Sequence, residues 1–296
     1  MPYKLSRSPR AGFTLAELMV ALVISGLLMT VVFQMLSGQS RMVAVQSGKE
    51  EAQQNVRGAL EVISSELRGA MPGALLNAQD RSLTFMQPRA WGVVCGVAGS
   101  TVTALFPITG GVDSWNVAEA SGVLINQAAT PADPAVWLPN PLAPAGRAQI
   151  QQVQVLAGGP NVGACAAMQA QGNVQAVQIA TSQPLTGAQG ATVVTYTLTQ
   201  YDFAQVGGRW WLRRNSGVSG GTFNQQPLAG PLEANGFTLS YFTAGNPPVA
   251  IAAPGTNAAA LASVRMVQVR VASNSTQTVN SRVQRDEGTV TVLLRN

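Results

Sequence analysis

The sequence predicts an α+β protein, with one long N-terminal helix packed on a β-rich head built as an antiparallel sheet. Three observations carry this prediction. From Phe13 to Leu36 the chain holds a single charged residue, Glu17. A stripe of apolar residues at helical spacing then continues to Leu67. Beyond Pro72 the apolar period changes from 3.6 to 2, the change from a helix face to a strand face.

The first element is a short basic leader, residues 1–12, with Lys4, Arg7 and Arg10 ahead of Gly12. Positive charge beside an apolar run keeps that end in the cytoplasm. The run that follows, over about residues 13–37, is long enough to cross a bilayer, which takes roughly 20 residues. A carboxylate in mid-membrane costs about 2.5–3.5 kcal/mol, so Glu17 calls for a partner and a task. An uncleaved anchor would show the same basic and apolar blocks. An ordinary secretory signal would need a shorter core and a small-residue cleavage site, for which Met42–Ala44 is a poor candidate. Neither alternative calls for Glu17 where it stands, or for Gly12 directly before Phe13, Thr14 and Leu15.

The second half of the helix is amphipathic. Val56, Leu60, Ile63 and Leu67 make one stripe, and Glu50, Glu51, Arg57, Glu61, Glu66 and Arg68 supply the polar face. Gly69 and Pro72 end it, so the helix is expected over 13–69, about 84 Å long from Phe13 to Arg68 at 1.5 Å per residue. Gly26 is a point where it could unwind or pack closely.

The head is expected over 70–296, with an inserted subdomain over about 84–190. Alternation marks strands at Val194–Leu198, Phe237–Tyr241, Val267–Val271 and Val290–Leu294. Weaker strands fall at Ser82–Met86, Thr101–Phe106, Gly122–Asn126, Gln149–Leu156 and Val174–Ala180. Ala129–Arg147, with Pro131, Pro134, Pro139, Pro141 and Pro144, reads as an extended connection, and Gly245–Asn257 as a second loop. Asp286–Gly288 reads as a turn before the last strand. No helix as strong as the first is expected after Gly69.

The N-terminal run Gly12–Leu22 behind its basic leader resembles the class III signal of type IV pilins and of the pseudopilins of type II secretion. The resemblance implies that prepilin peptidase cuts between Gly12 and Phe13 and methylates Phe13. Gly12, a poor helix residue without a β-carbon, suits an exposed scissile bond. It implies further that Glu17 pairs with the Phe13 amine of a neighbouring subunit and so sets axial register, each charge lessening the other's cost in lipid. Later segments, Tyr196–Leu198, Trp210–Arg214, Pro227–Gly230, Phe237–Tyr241, Ser263–Val269 and Leu294–Asn296, resemble in order the PilW/GspJ-type minor pilins. That implies a minor pilin of a type IV pilus that primes or caps the fibre, supporting twitching or DNA uptake. The alternatives are a tip pseudopilin of type II secretion and a fibre-borne adhesin or DNA-binding tip protein. The implied partners are prepilin peptidase, other major and minor pilins or pseudopilins, the inner-membrane assembly platform and the inner membrane, with the head periplasmic before entering the fibre. Residues from about 73 to 190 take no part in this resemblance.

Composition narrows the chemistry. The chain of 296 residues has 10% charged residues and no histidine, which excludes Ser-His-Asp and Cys-His catalysis and any histidine-ligated metal. Without the leader's three cations, 15 basic side chains face 13 acidic ones, a formal +2, so the basic balance points weakly to nucleic acid. Asp113, Glu119 and Asp133 make no calcium loop. Gly110–Gly111, Gly158–Gly159 and Gly220–Gly221 suit turns, with no phosphate loop. Ser121 and Ser216 have no visible base partner. No enzyme activity, cofactor or metal is expected. Cys95 and Cys165 are either a disulfide, adding roughly 4 kcal/mol by chain entropy in an oxidising compartment, or two separate buried thiols. Arg209, Trp210, Trp211, Arg213 and Arg214 interleave cations with aromatic rings. They suit contact with a ligand or nucleic acid, or a plain strand with Trp210 and Leu212 on one face and Trp211 and Arg213 on the other.

Overall fold

The computed structural model describes residues 14–71, 73–107, 122–126, 137–138, 148–156, 163–170, 173–217, 223–279 and 282–294. The leader with Lys4, Arg7 and Arg10, the Gly12–Phe13 junction, Pro72, Asp113, Glu119, Ser121, the proline-rich stretch apart from 137–138, and the three double-glycine pairs lie outside them.

Helix α1 runs unbroken over Leu15–Arg68, straight through Gly26. Its apolar first half, from Leu15 to Leu36, is exposed, and among the described residues none of its most apolar stretch is buried. The buried residues of the second half are Gly48, Ala52, Val56, Ala59, Ile63, Ser64 and Leu67. The stripe expected from Val56 to Leu67 therefore extends two turns further toward the N-terminus, on residues too small to stand out by hydropathy. Leu60, at the stripe's margin, packs against the same core half-buried. Burial of a side chain such as Ile63 or Leu67 is worth about 1.5–3 kcal/mol, so this face is what holds the helix to the head.

The strands are β1 (Leu75–Ala78), β2 (Ser82–Ala98), β3 (Thr101–Pro107), β4 (Gly122–Asn126), β5 (Trp137–Leu138), β6 (Ile150–Val155), β7 (Val174–Thr181), β8 (Thr192–Val206), β9 (Arg209–Gly217), β10 (Phe223–Phe242), β11 (Ala250–Ile251), β12 (Met266–Val279) and β13 (Arg282–Leu293). They form one sheet whose main path runs β13-β12-β10-β9-β8-β2-β3-β7-β6, with β1 added on β2, β11 on β10, and β4 on β8 with β5 beside it, and every pairing is antiparallel. The sheet runs between two hydrophobic cores. Val267, Val269, Val271, Phe237, Leu239, Tyr241, Phe85 and Tyr201 join the α1 stripe in the larger one. Val102, Phe106, Val123, Ile125, Val177, Ile179 and Val193 build the second. Strand β2 spans both. It pairs with β8 from Ser82↔Asp202 to Val93↔Thr192, then with β3 from Val93↔Leu105 to Ala98↔Thr101.

One expected turn is a strand instead. Asp286, Glu287 and Gly288 lie in the middle of β13, opposite Ser273, Ala272 and Val271, not in a turn. Gly288 is small because α1 crosses it: a β-carbon there would come within 2.7 Å of Leu60 and 2.8 Å of Val56. Two short helices follow α1, namely α2 (Gly163–Gln169) and α3 (Ala258–Ser263), and neither approaches it in length, as the sequence leads one to expect. The second is started by Asn257, whose side-chain oxygen accepts from the Ala260 N–H at 3.1 Å.

Candidate functional site

The free end of α1 is the first site. Thr14 caps the helix, and Glu17 reaches back to it: Thr14 N and Oγ1 donate to Glu17 Oε2 at 2.9 and 3.1 Å, while Glu17 N donates to Thr14 Oγ1 at 3.3 Å. The sequence signal for this capping box is the Thr-x-x-Glu spacing ahead of an apolar run. Glu17 Oε1 accepts no hydrogen bond among the described residues, so one oxygen remains open to an external cation. Around it Leu15, Leu18, Met19, Val20 and Leu22 are all exposed, Leu15 to 78%. Helix α1 is long and apolar enough to cross a membrane. An apolar surface of this length left uncovered by its own chain needs lipid or another protein.

The second site is the junction of helix and head. In the last turn of α1, Glu66 Oε1 accepts from Arg214 Nε at 2.9 Å and lies 2.6 Å from Arg214 Nη2. The Tyr201 hydroxyl donates to the other oxygen of Glu66. Burial, then the Glu66 charge, pushes the Tyr201 pKa well above that of a free phenol. Burial works against the Arg214 charge, but Glu66 outweighs it and leaves that pKa raised. Further back, Asn55 Nδ2 donates to Ser273 Oγ at 3.4 Å, and Glu51 Oε2 accepts from Thr276 N and Oγ1 at 3.1 and 2.9 Å. At Gly48 a β-carbon would sit 3.1 Å from Ser275 Cβ. The β12–β13 hairpin thus lies along the helix as a brace from Gly48 to Leu60.

The aromatic and basic residues of β9 do not form one patch. Strand alternation places Trp210, Leu212 and Arg214 on the side of the core and α1: Trp210 stacks on Phe203 with ring centres 5.0 Å apart, Leu212 is buried, and Arg214 holds Glu66. Arg209, Trp211 and Arg213 turn to the opposite side. There Arg213 forms a two-pronged ion pair with Asp202 and donates from Nη1 to Gln225 Oε1 at 2.6 Å.

Cys95 of β2 and Cys165 of α2 are joined in a disulfide, with Leu105 and Ala176 packed around it. It ties the short helix to the second half of the sheet. Among the described residues, no group of three or more cysteine, aspartate or glutamate side chains comes together as a metal site.

Comparison with known proteins bears on the first site. Residues 7–33 match the prokaryotic N-terminal methylation motif, a span that contains Gly12, Phe13 and Glu17. The N-terminal segment is therefore similar to that of type IV prepilins. No curated protein and no solved structure matches the chain.

Proposed function

We propose that the chain is a minor pilin of the PilW/GspJ type, a low-copy fibre subunit that primes or caps assembly. The leader, residues 1–12, stays cytoplasmic, α1 holds the precursor in the inner membrane, and the head lies in the periplasm until the subunit enters the fibre. Prepilin peptidase cuts after Gly12 and methylates Phe13. The mechanism is assembly and involves no catalysis by this chain. One observation carries the reading: a single helix presents an entirely uncovered apolar half with one carboxylate near its start, while its other half is bonded firmly to the head. Such a helix passes from lipid into a bundle of like helices without repacking its own head. Glu17, whose Oε1 accepts no hydrogen bond among the described residues, would receive the Phe13 amine of a neighbour.

The head supports a low-copy place. Its sheet spreads wide on both sides of β2, and a broad head is hard to repeat at every subunit of a dense fibre. Deleting the gene and measuring sheared surface pili, with a plasmid copy as control, tests the reading. Loss of pili restored by the plasmid is expected. Normal pili would redirect the assignment to type II secretion, read as loss of a secreted substrate under the same deletion.

A further inference from the structure

A groove of about 460 Å³ opens on the side of the sheet turned away from α1, lined by Val206, Arg209, Trp211, Arg213, Gln225 and Pro227. That is the size of an ordinary small-ligand site. The Trp211 ring lies close over Gly230 of β10, where a β-carbon would come within 2.6 Å of it, so a side chain there would displace the ring. The Asp202–Arg213–Gln225 chain fixes a carboxylate, a guanidinium and an amide in one row across β8, β9 and β10. Arg209, beside the Gly207–Gly208 turn, is exposed and makes no ion pair among the described residues.

These features narrow the ligand. A nucleic-acid strand needs a row of free cations along its backbone. Here Arg213 is neutralised by Asp202, and Arg214 faces the other way onto Glu66. A peptide added as a strand needs free backbone groups, but β9 is paired on both sides, by β8 and β10. What remains is an aromatic platform, a fixed row of donors and acceptors, and one free guanidinium. We propose that this groove binds an acidic saccharide, a sugar ring bearing a carboxylate. The C–H face of the ring rests on Trp211, hydroxyls meet Gln225 and the Asp202–Arg213 pair, and the carboxylate takes the fork of Arg209. This function goes beyond fibre assembly, so its test reads on the isolated protein whatever the fibre proves to be.

The experiment is calorimetric titration of the full chain in detergent with α-1,4-linked galacturonate trimer, galacturonate monomer, the methyl-esterified trimer and a thymidine oligonucleotide. One saturable site for the trimer is expected, with the ester at least about tenfold weaker, the loss of one charged contact. Arg209→Gln, a surface change that leaves the fold intact, should weaken the trimer by about tenfold and leave the ester unchanged. Trp211→Ala, with folding checked by circular dichroism, should weaken both. A trimer tighter than the monomer identifies a glycan chain, and equal affinity identifies a free uronate; both agree with the proposal. No saturable heat with either acid, affinity untouched by Arg209→Gln, or an oligonucleotide that binds where the saccharides do not would overturn it.

Discussion

Glu66 accepts a hydrogen bond from Arg214, a residue 148 positions further along the chain, and this contact fixes the end of a 54-residue helix to the middle of the sheet. Both side chains are mostly shielded, at 13% and 21% exposure, so neither charge is well solvated without the other. Glu66→Ala should therefore lower stability by about 2 kcal/mol, less than a fully buried pair because water still reaches both groups. In a double-mutant cycle with Arg214→Ala, denaturant unfolding should show the two losses to be strongly non-additive. Simple addition would mean that the pair is not coupled.

Tyr201 and Tyr241 respond to alkali. Burial raises both phenol pKa values, aided by the Glu66 charge at Tyr201 and by Asp80 at Tyr241. A folded-state pKa above the unfolded value of about 10 gives stability that is complete below pH 10 and falls as pH rises beyond it. Absorbance at 295 nm should show these two phenols ionising only together with unfolding. Reversible ionisation near pH 10 in the folded head would contradict their burial.

Gly288 should tolerate no side chain. Its β-carbon would strike Leu60 and Val56, so Gly288→Ala must push α1 off β13 or distort the strand. A loss of about 1–3 kcal/mol is expected, the ordinary range for overpacking. Thr289→Ala, on the exposed side of the same strand, should change little in the same melt.

Reducing the Cys95–Cys165 bond should destabilise the second core selectively. The loop it closes spans 70 residues, which corresponds to roughly 4 kcal/mol by chain entropy. Hydrogen exchange after reduction should accelerate in β3 and β7 while α1, β12 and β13 keep their protection. Uniform acceleration would show that the two cores unfold as one.

The sequence announced what rests on local periodicity. The α1 stripe, the period-2 strands and the two faces of β9 follow from spacing alone, and the structure has them. What it hid depends on distant neighbours. Gly48 and Ala52 carry little hydrophobic signal, yet both are buried, Gly48 against Ser275 of β12 and Gln284 of β13. Asp286–Gly288 looked like a turn because acids and glycine favour turns, whereas Glu287 is there to meet Arg270 and Arg285, and Gly288 to admit the helix. Arg214 looked like part of a surface patch because Glu66, its partner, stands at the far end of another element. The start of α1 is legible both as a resemblance and as a capping box, in the spacing of Thr14 and Glu17.

The most direct test of assembly recovers the chain from sheared surface fibres and reads its N-terminal peptide by mass spectrometry in wild type and in Glu17→Ala. Wild-type chain is expected in the fibre fraction, beginning with N-methylated Phe13. The Glu17→Ala chain is expected to begin at the same residue in the membrane fraction and to be scarce in the fibres. A wild-type chain that still begins at Met1 in cells with active prepilin peptidase, or normal incorporation of Glu17→Ala, would contradict the account.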